Sequence, residues 1–190
     1  METKRIIERG DSEAFSGLCG DGKEERLQLA NASLAALRVC AQCGIQPAVR
    51  LYDRLYGAGL QSHWEAAPEE NELTIEEYMM LEGRYRTTDS ALRRALGERM
   101  DIGTVVDIAS GWSPMGLGIA AEFPVKYMET HTDARLLELK ERFCNDIEGQ
   151  TRTLKAGTHA FRMLDPARLQ GIADVESELP GGKPIILIHS

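Results

Sequence analysis

Residues 104–117 read TVVDIASGWSPMGL. Thr104, Val105 and Val106 are β-branched and favour an extended strand, because such side chains pack well on a pleated surface. The run then meets Asp107, passes the small residues Ala109, Ser110 and Gly111, and reaches Pro114 and a helix-like stretch. A strand that closes on an acid and turns into a helix through residues of little bulk is a ligand-binding layout. In parallel α/β sheets the crevice lies beyond the carboxyl ends of the strands, and the first amides of the next helix point toward it.

Working toward the C-terminus, the texture alternates. GTVVDIA (103–109) reads as a strand and PMGLGIAAEF (114–123) as a helix opened by Pro114. VKYMET (125–130) is a second strand, and TDARLLELKERFCNDIE (132–148) a long helix. HAFRML (159–164) is a third strand, PARLQGIADVESEL (166–179) a third helix, and PIILIHS (184–190) a fourth strand, apolar throughout as buried parallel strands are. This β-α-β-α-β-α-β order predicts an α/β domain over 101–190 with a Rossmann-like parallel sheet.

Toward the N-terminus, residues 1–100 read as a helical region. Few breakers interrupt 24–43, and Gly44 offers a stop. Pro47 suits a first helical turn, with Val49, Tyr52, Leu55 and Tyr56 as an apolar stripe ended by Gly57. Residues 57–73, which carry His63 and Trp64, read as a loop. Thr74 and Glu77 have the spacing of a capping box. The helix they open sets Tyr78, Leu81, Tyr85, Leu92 and Leu96 on one face, with Gly83 inside it and Gly97 at its end.

The chain has 190 residues, 43% of them hydrophobic and 27% charged, so a sizeable core is available. A net charge of −8 with no Lys/Arg block argues against a nucleic-acid surface, which requires clustered cations. No apolar run approaches the ~18 residues of a membrane span, and the charged N-terminus has no signal-peptide core, so the expected compartment is the cytoplasm. Cys40 and Cys43 form a single CxxC inside an Ala/Leu-rich helical pattern. No second pair accompanies it, so packing rather than metal binding is expected, with Cys19 and Cys144 also as thiols.

Two nucleoside ligands compete for the 107–114 segment. A nicotinamide dinucleotide favours G-x-G-x-x-G, which lets the pyrophosphate meet the helix end; here the matching residues are Ala109-x-Gly111-x-Ser113-Pro114. An acid before the turn would also oppose a diphosphate. S-adenosylmethionine has no phosphate and carries an ammonium, which Asp107 suits. VVDIASGWSPMGL resembles the first motif of class I S-adenosylmethionine-dependent methyltransferases, with Ala109 in place of the first Gly of D-x-G-x-G. Over roughly residues 75–190 the chain is similar to the leucine carboxyl methyltransferase and polyketide O-methyltransferase group. RYRTTDSALRRAL is similar to its R-T-x-x-x-D helix, YMETHTDARLLELK to its Y-x-E-x-D strand end, and KPIILIHS to its fourth strand.

That resemblance implies a cofactor, S-adenosylmethionine, and a set of residues to hold it. Arg86 would pair with the cofactor carboxylate, with Arg84 in reserve; a guanidinium suits a planar carboxylate. Asp107, Ala109 and Gly111 would form the berth, and Ser113 would add a hydroxyl contact or cap the next helix. At the end of the second strand the family has a ribose-binding acid, where this chain has His131, flanked by Glu129 and Asp133 as the acids that would substitute for it. Neutral imidazole offers one donor and one acceptor and cannot take two hydroxyl donors as a carboxylate does. Asp165 would contact the adenine amino group or cap a helix before Pro166.

The implied reaction is methyl transfer to a carboxyl or hydroxyl oxygen of a small molecule or protein; no catalytic base and no metal ligand is singled out. His189 and Ser190 end the fourth strand with no role assigned. Class I sheets have seven strands and this sequence supplies four, so an incomplete domain, or a partner chain or second copy pairing with the open sheet or the N-terminal helices, is expected. The alternative function is a non-catalytic, methyltransferase-like binding protein.

Overall fold

The computed structural model describes residues 23–57, 74–150, 156–164, 175, 177–179 and 181–189. His63, Trp64, Asp165 and most of the helix expected over 166–179 lie outside the described residues. The elements, in chain order, are α1 (Lys23–Gln42), α2 (Gln46–Gly57), α3 (Ile75–Glu98), β1 (Thr104–Asp107), α4 (Met115–Glu122), β2 (Lys126–His131), α5 (Ala134–Gln150), β3 (Thr158–Met163) and β4 (Ile185–Ile188).

The four strands form one parallel sheet in the order β3-β2-β1-β4. In register, Asp107 lies beside Glu129 of β2 and Ile188 of β4. Because β-strand side chains alternate, one sheet face carries Val105, Asp107, Tyr127, Glu129, His159 and Phe161. That face packs under the helices: Val105 and Tyr127 join Met115 and Ile119 of α4 and Leu92 and Leu96 of α3 in one apolar cluster. Val106 and Met128, on the other face, meet Val175, Leu164 and Leu179. The β1–β2 and β2–β3 connections thus cover one face, and part of the β3–β4 connection covers the other. This change of side makes the gap between β1 and β4 the topological switch point of the sheet.

The N-terminal helices share a core with the sheet. Leu37 and Cys40 of α1 and Ala48, Leu51 and Leu55 of α2 pack with Trp112, with Leu136, Leu137, Phe143 and Ile147 of α5, and with Phe161. Each fully buried leucine there contributes about 1.5–3 kcal/mol relative to exposure. On α2 the buried residues are Ala48, Leu51 and Leu55. Of the expected stripe, Leu55 is in the core and Tyr52 packs against it, while Val49 is half-buried and Ala48 and Leu51 add to the buried face; α2 packs between α1 and α5 with Pro47 turned onto Gly118 of α4. Cys40 is buried in this cluster, and burial pushes its thiol up to about 12. Cys40, Cys43 and Cys144 are free cysteines, and no metal-holding group of His, Cys, Asp and Glu occurs among the described residues.

The box opening α3 forms in full. Thr74 Oγ1 accepts from the Glu77 amide at 3.2 Å, and Glu77 Oε2 accepts from the Thr74 amide at 2.8 Å. Gly83 does not interrupt the helix. β4 departs from expectation: Ile186 and Ile188 face the core, but Ile185 and Leu187 are exposed, Leu187 to 65%. Among the described residues β4 pairs only with β1. No described helix is long and apolar enough to cross a membrane.

α4 lies close against the sheet at Gly116. A Cβ there would stand 2.5 Å from Glu129 Oε1 and nearer still to His159 Nε2, whereas Gly83 has open space around it. Gly116→Ala should therefore destabilise by about 1–3 kcal/mol through overpacking, and Gly83→Ala should stabilise by up to about 1 kcal/mol through helix propensity. Urea denaturation of the two variants checks both signs.

Candidate functional site at the carboxyl end of the sheet

Asp107 closes β1 with no exposed surface. A carboxylate in that position must be met by donors, and the Tyr127 hydroxyl donates to Asp107 Oδ2 at 3.0 Å. Burial, then the charge of Asp107, holds the Tyr127 hydroxyl protonated well above its usual range. The strand end is stapled sideways: Thr130 Oγ1 donates to the Asp107 carbonyl at 2.9 Å, and the Ser110 amide donates to the Thr130 carbonyl at 3.0 Å. The Ile108 amide donates to the Ile188 carbonyl at 2.8 Å, fixing the other side to β4.

The chain then turns through two left-handed residues, Ala109 at φ 55° and Gly111 at φ 50°. Ala109 is the one non-glycine with positive φ among the described residues. That backbone costs an L-residue about 1–2 kcal/mol, and Ala109 holds it at the position where the motif has glycine. Gly111 cannot be replaced without collision, because a Cβ there would lie 2.7 Å from the Ser33 Cβ of α1. Ser110 and Trp112 are buried, and among the described residues neither Ser110 Oγ nor Trp112 Nε1 has a hydrogen-bond partner. Such groups are uncommon in folded proteins. Ser113 Oγ accepts from the Met115 amide at 3.4 Å, at the start of α4.

The expected ribose end, at the close of β2, is differently occupied. Glu129 is fully buried, ion-paired with Lys140 of α5 and bonded to His159 Nε2 at 2.7 Å. Burial opposes its charge, yet Lys140 and His159 hold the carboxyl down at about 2. Asp133 Oδ1 accepts from the amides of Arg135 and Leu136 at 2.9 and 3.3 Å, capping α5. His131 Nδ1 accepts from the Asp133 amide at 3.0 Å. The neutral ring must then carry its proton on Nε2, and burial lowers its pKa further. The group β2 presents at this end is a donor.

The two candidate arginines diverge. Arg86 is exposed and pairs with Glu82 one turn earlier at 2.7 Å. Arg84 Nη2 donates to His189 Nδ1 at 2.8 Å, which brings it to the end of β4 and hence to the switch point. Asp107, the 109–113 turn, His189 and Arg84 thus gather around the β1 and β4 ends, while Arg86 faces Glu82 and Glu129 is held beneath α4. Tyr127, Lys140 and His159 were not singled out from the sequence. A signal existed for one: Lys140 stands in the apolar stripe Leu136, Phe143, Ile147, where an unpaired cation would be costly. Compared with protein-family models, curated proteins and solved structures, the chain matches none.

The strained turn gives a directional test. Ala109→Gly should raise stability by about 1 kcal/mol by relieving the left-handed backbone, and Gly111→Ala should lower it by more, through φ and the Ser33 collision. Denaturation midpoints of both variants against the parent chain check the pair.

Proposed function

We propose that the chain binds S-adenosylmethionine at the β1–β4 switch point and serves as the cofactor-binding part of an O-methyltransferase. One observation carries this reading: a buried acid at the end of β1 leads into a left-handed turn whose Ser110 hydroxyl and Trp112 indole N–H are buried and have no hydrogen-bond partner among the described residues. The residues at this edge suit the ligand by charge. Asp107 supplies negative charge for the ammonium, beside the hydroxyl of Tyr127. Arg84, bonded to an imidazole rather than a carboxylate, supplies positive charge for the amino-acid carboxylate. His131 Nε2–H supplies one hydrogen bond to a ribose oxygen in place of a carboxylate's two acceptors.

When bound, the cofactor supplies an activated methyl group. The chain's own residues then orient it and keep the acceptor oxygen in line at near-attack distance, which supplies much of the rate. A carboxylate acceptor needs no general base, whereas a hydroxyl acceptor does. A second reading, a non-catalytic binding protein, is favoured by Glu129 and Asp133 being held by Lys140 and by the α5 amides.

Calorimetry with S-adenosylhomocysteine separates the two. Cofactor binding predicts measurable heat, weakened about tenfold or more in Arg84→Ala and in Asp107→Ala, about 1.4 kcal/mol or more in each case, and unchanged in Arg86→Ala. Absence of heat and of thermal stabilisation at millimolar ligand would remove the methyltransferase reading.

A further inference from the structure

Beneath α4, away from the switch point, the sheet buries four ionisable side chains in mutual contact. Lys140 Nζ pairs with Glu129, Glu129 Oε1 lies 2.7 Å from His159 Nε2, and His159 Nδ1 lies 3.5 Å from Glu148 Oε1. The side chains of Lys140, Glu129 and His159 are at most 1% exposed, and that of Glu148 is 12% exposed. The groups facing the imidazole are Glu129 and Tyr127 from β2, Lys140 and Glu148 from α5, and the Phe161 ring, 4.4 Å away, from its own strand. From α4, Gly116 lies against the pair, and its missing Cβ admits it.

Two physical constraints act on His159. Nε2 is hydrogen-bonded to Glu129, whereas Nδ1 has no hydrogen-bond partner among the described residues and faces the Glu148 carboxylate at 3.5 Å as a charge contact; a neutral ring has one N–H and would turn its lone pair toward one of the two carboxylates. Charge balance asks for the same state. With Lys140 cationic and both glutamates ionised, the buried set is neutral only if the ring carries a proton, and an unbalanced buried charge is strongly disfavoured.

We infer that His159 is a buried imidazolium that latches the C-terminal end of α5, through Glu148, to Glu129 of the sheet, and that alkali opens this latch. On deprotonation the Nε2–H bond to Glu129 persists and the Nδ1 lone pair faces Glu148, so the α5 end is released first. The direction of the His159 shift, upward despite burial because of the two glutamates, agrees with this. The sign follows: a raised pKa contributes stability in full below the unfolded value of about 6.5 and loses it as pH rises through the folded value.

The test is a titration of the imidazole Cε1–H resonances of the whole chain between about pH 5 and 9. The four histidines are resolved by assigning His63, His131 and His189 from His→Gln variants and His159 by elimination. The expected result is a His159 midpoint above about 6.5, lowered by about one unit in Glu148→Gln. Amide protection factors at residues 146–150, taken relative to the base-catalysed intrinsic rates, should also fall above that midpoint in the parent chain. A midpoint at or below about 6.5 overturns the proposal, as does one indifferent to Glu148→Gln. The parent titration needs no variant and decides the matter even if Glu148→Gln fails to fold.

Discussion

Asp107 has no exposed surface, and a carboxylate withdrawn from water must be answered by donors or by charge. Much of the surrounding architecture follows from that requirement. Tyr127, one strand over and two residues back from the register position, brings a hydroxyl whose burial and acidic neighbour keep it protonated. Thr130 and Ser110 tie the strand end to β2, and Ile108 ties it to β4. With both sides fixed, the chain leaves the sheet by a sharp turn, and it does so through Ala109 and Gly111 in left-handed backbone. Tolerating an alanine in that conformation implies that the turn's geometry outweighs the local cost.

A second buried polar system lies on the same sheet face, one step from Asp107 in register. Glu129, Lys140, His159 and Glu148 are neutral only as a set, so each member's value depends on the others. Gly116 lets α4 approach this set, and the Met115 amide at the start of α4 donates to Ser113 Oγ of the turn. The candidate ligand edge and the buried quartet therefore share α4 and β2. They differ in exposure to change: the quartet is sealed under helices, whereas the β1–β4 edge is bordered by Arg84 and His189, both exposed.

The strands, the α3 capping box and the turn after Asp107 were legible in the sequence because each rests on local pattern. β-branched runs, a Thr-x-x-Glu spacing and small residues after an acid carry their physics within a few positions. What was not legible depended on direction around a helix. Arg84 and Arg86 are two residues apart, which places them on nearly opposite sides of α3; no local signal says which side meets β4. The α2 stripe is incomplete for the same reason: Leu55 and Tyr52 meet the core, but Ala48 and Leu51 also face inward where α1, α4 and α5 converge. His131 reads as a departure from a carboxylate, and its tautomer is set by the Asp133 amide two residues on, a contact that depends on how the chain bends after β2. The place of Lys140 in an apolar stripe is a local signal, but its partner is not, because Glu129 belongs to β2 and meets Lys140 only when α5 packs on the sheet.

The account rests on a ligand edge formed where β1 and β4 end. Its most direct measurement is a backbone-amide chemical-shift map of the full chain titrated with S-adenosylhomocysteine. The account predicts that Ile108, Ser110, Gly111 and His189 move together and saturate with one dissociation constant. Saturable shifts confined to other elements, or no shifts at millimolar ligand, would contradict it.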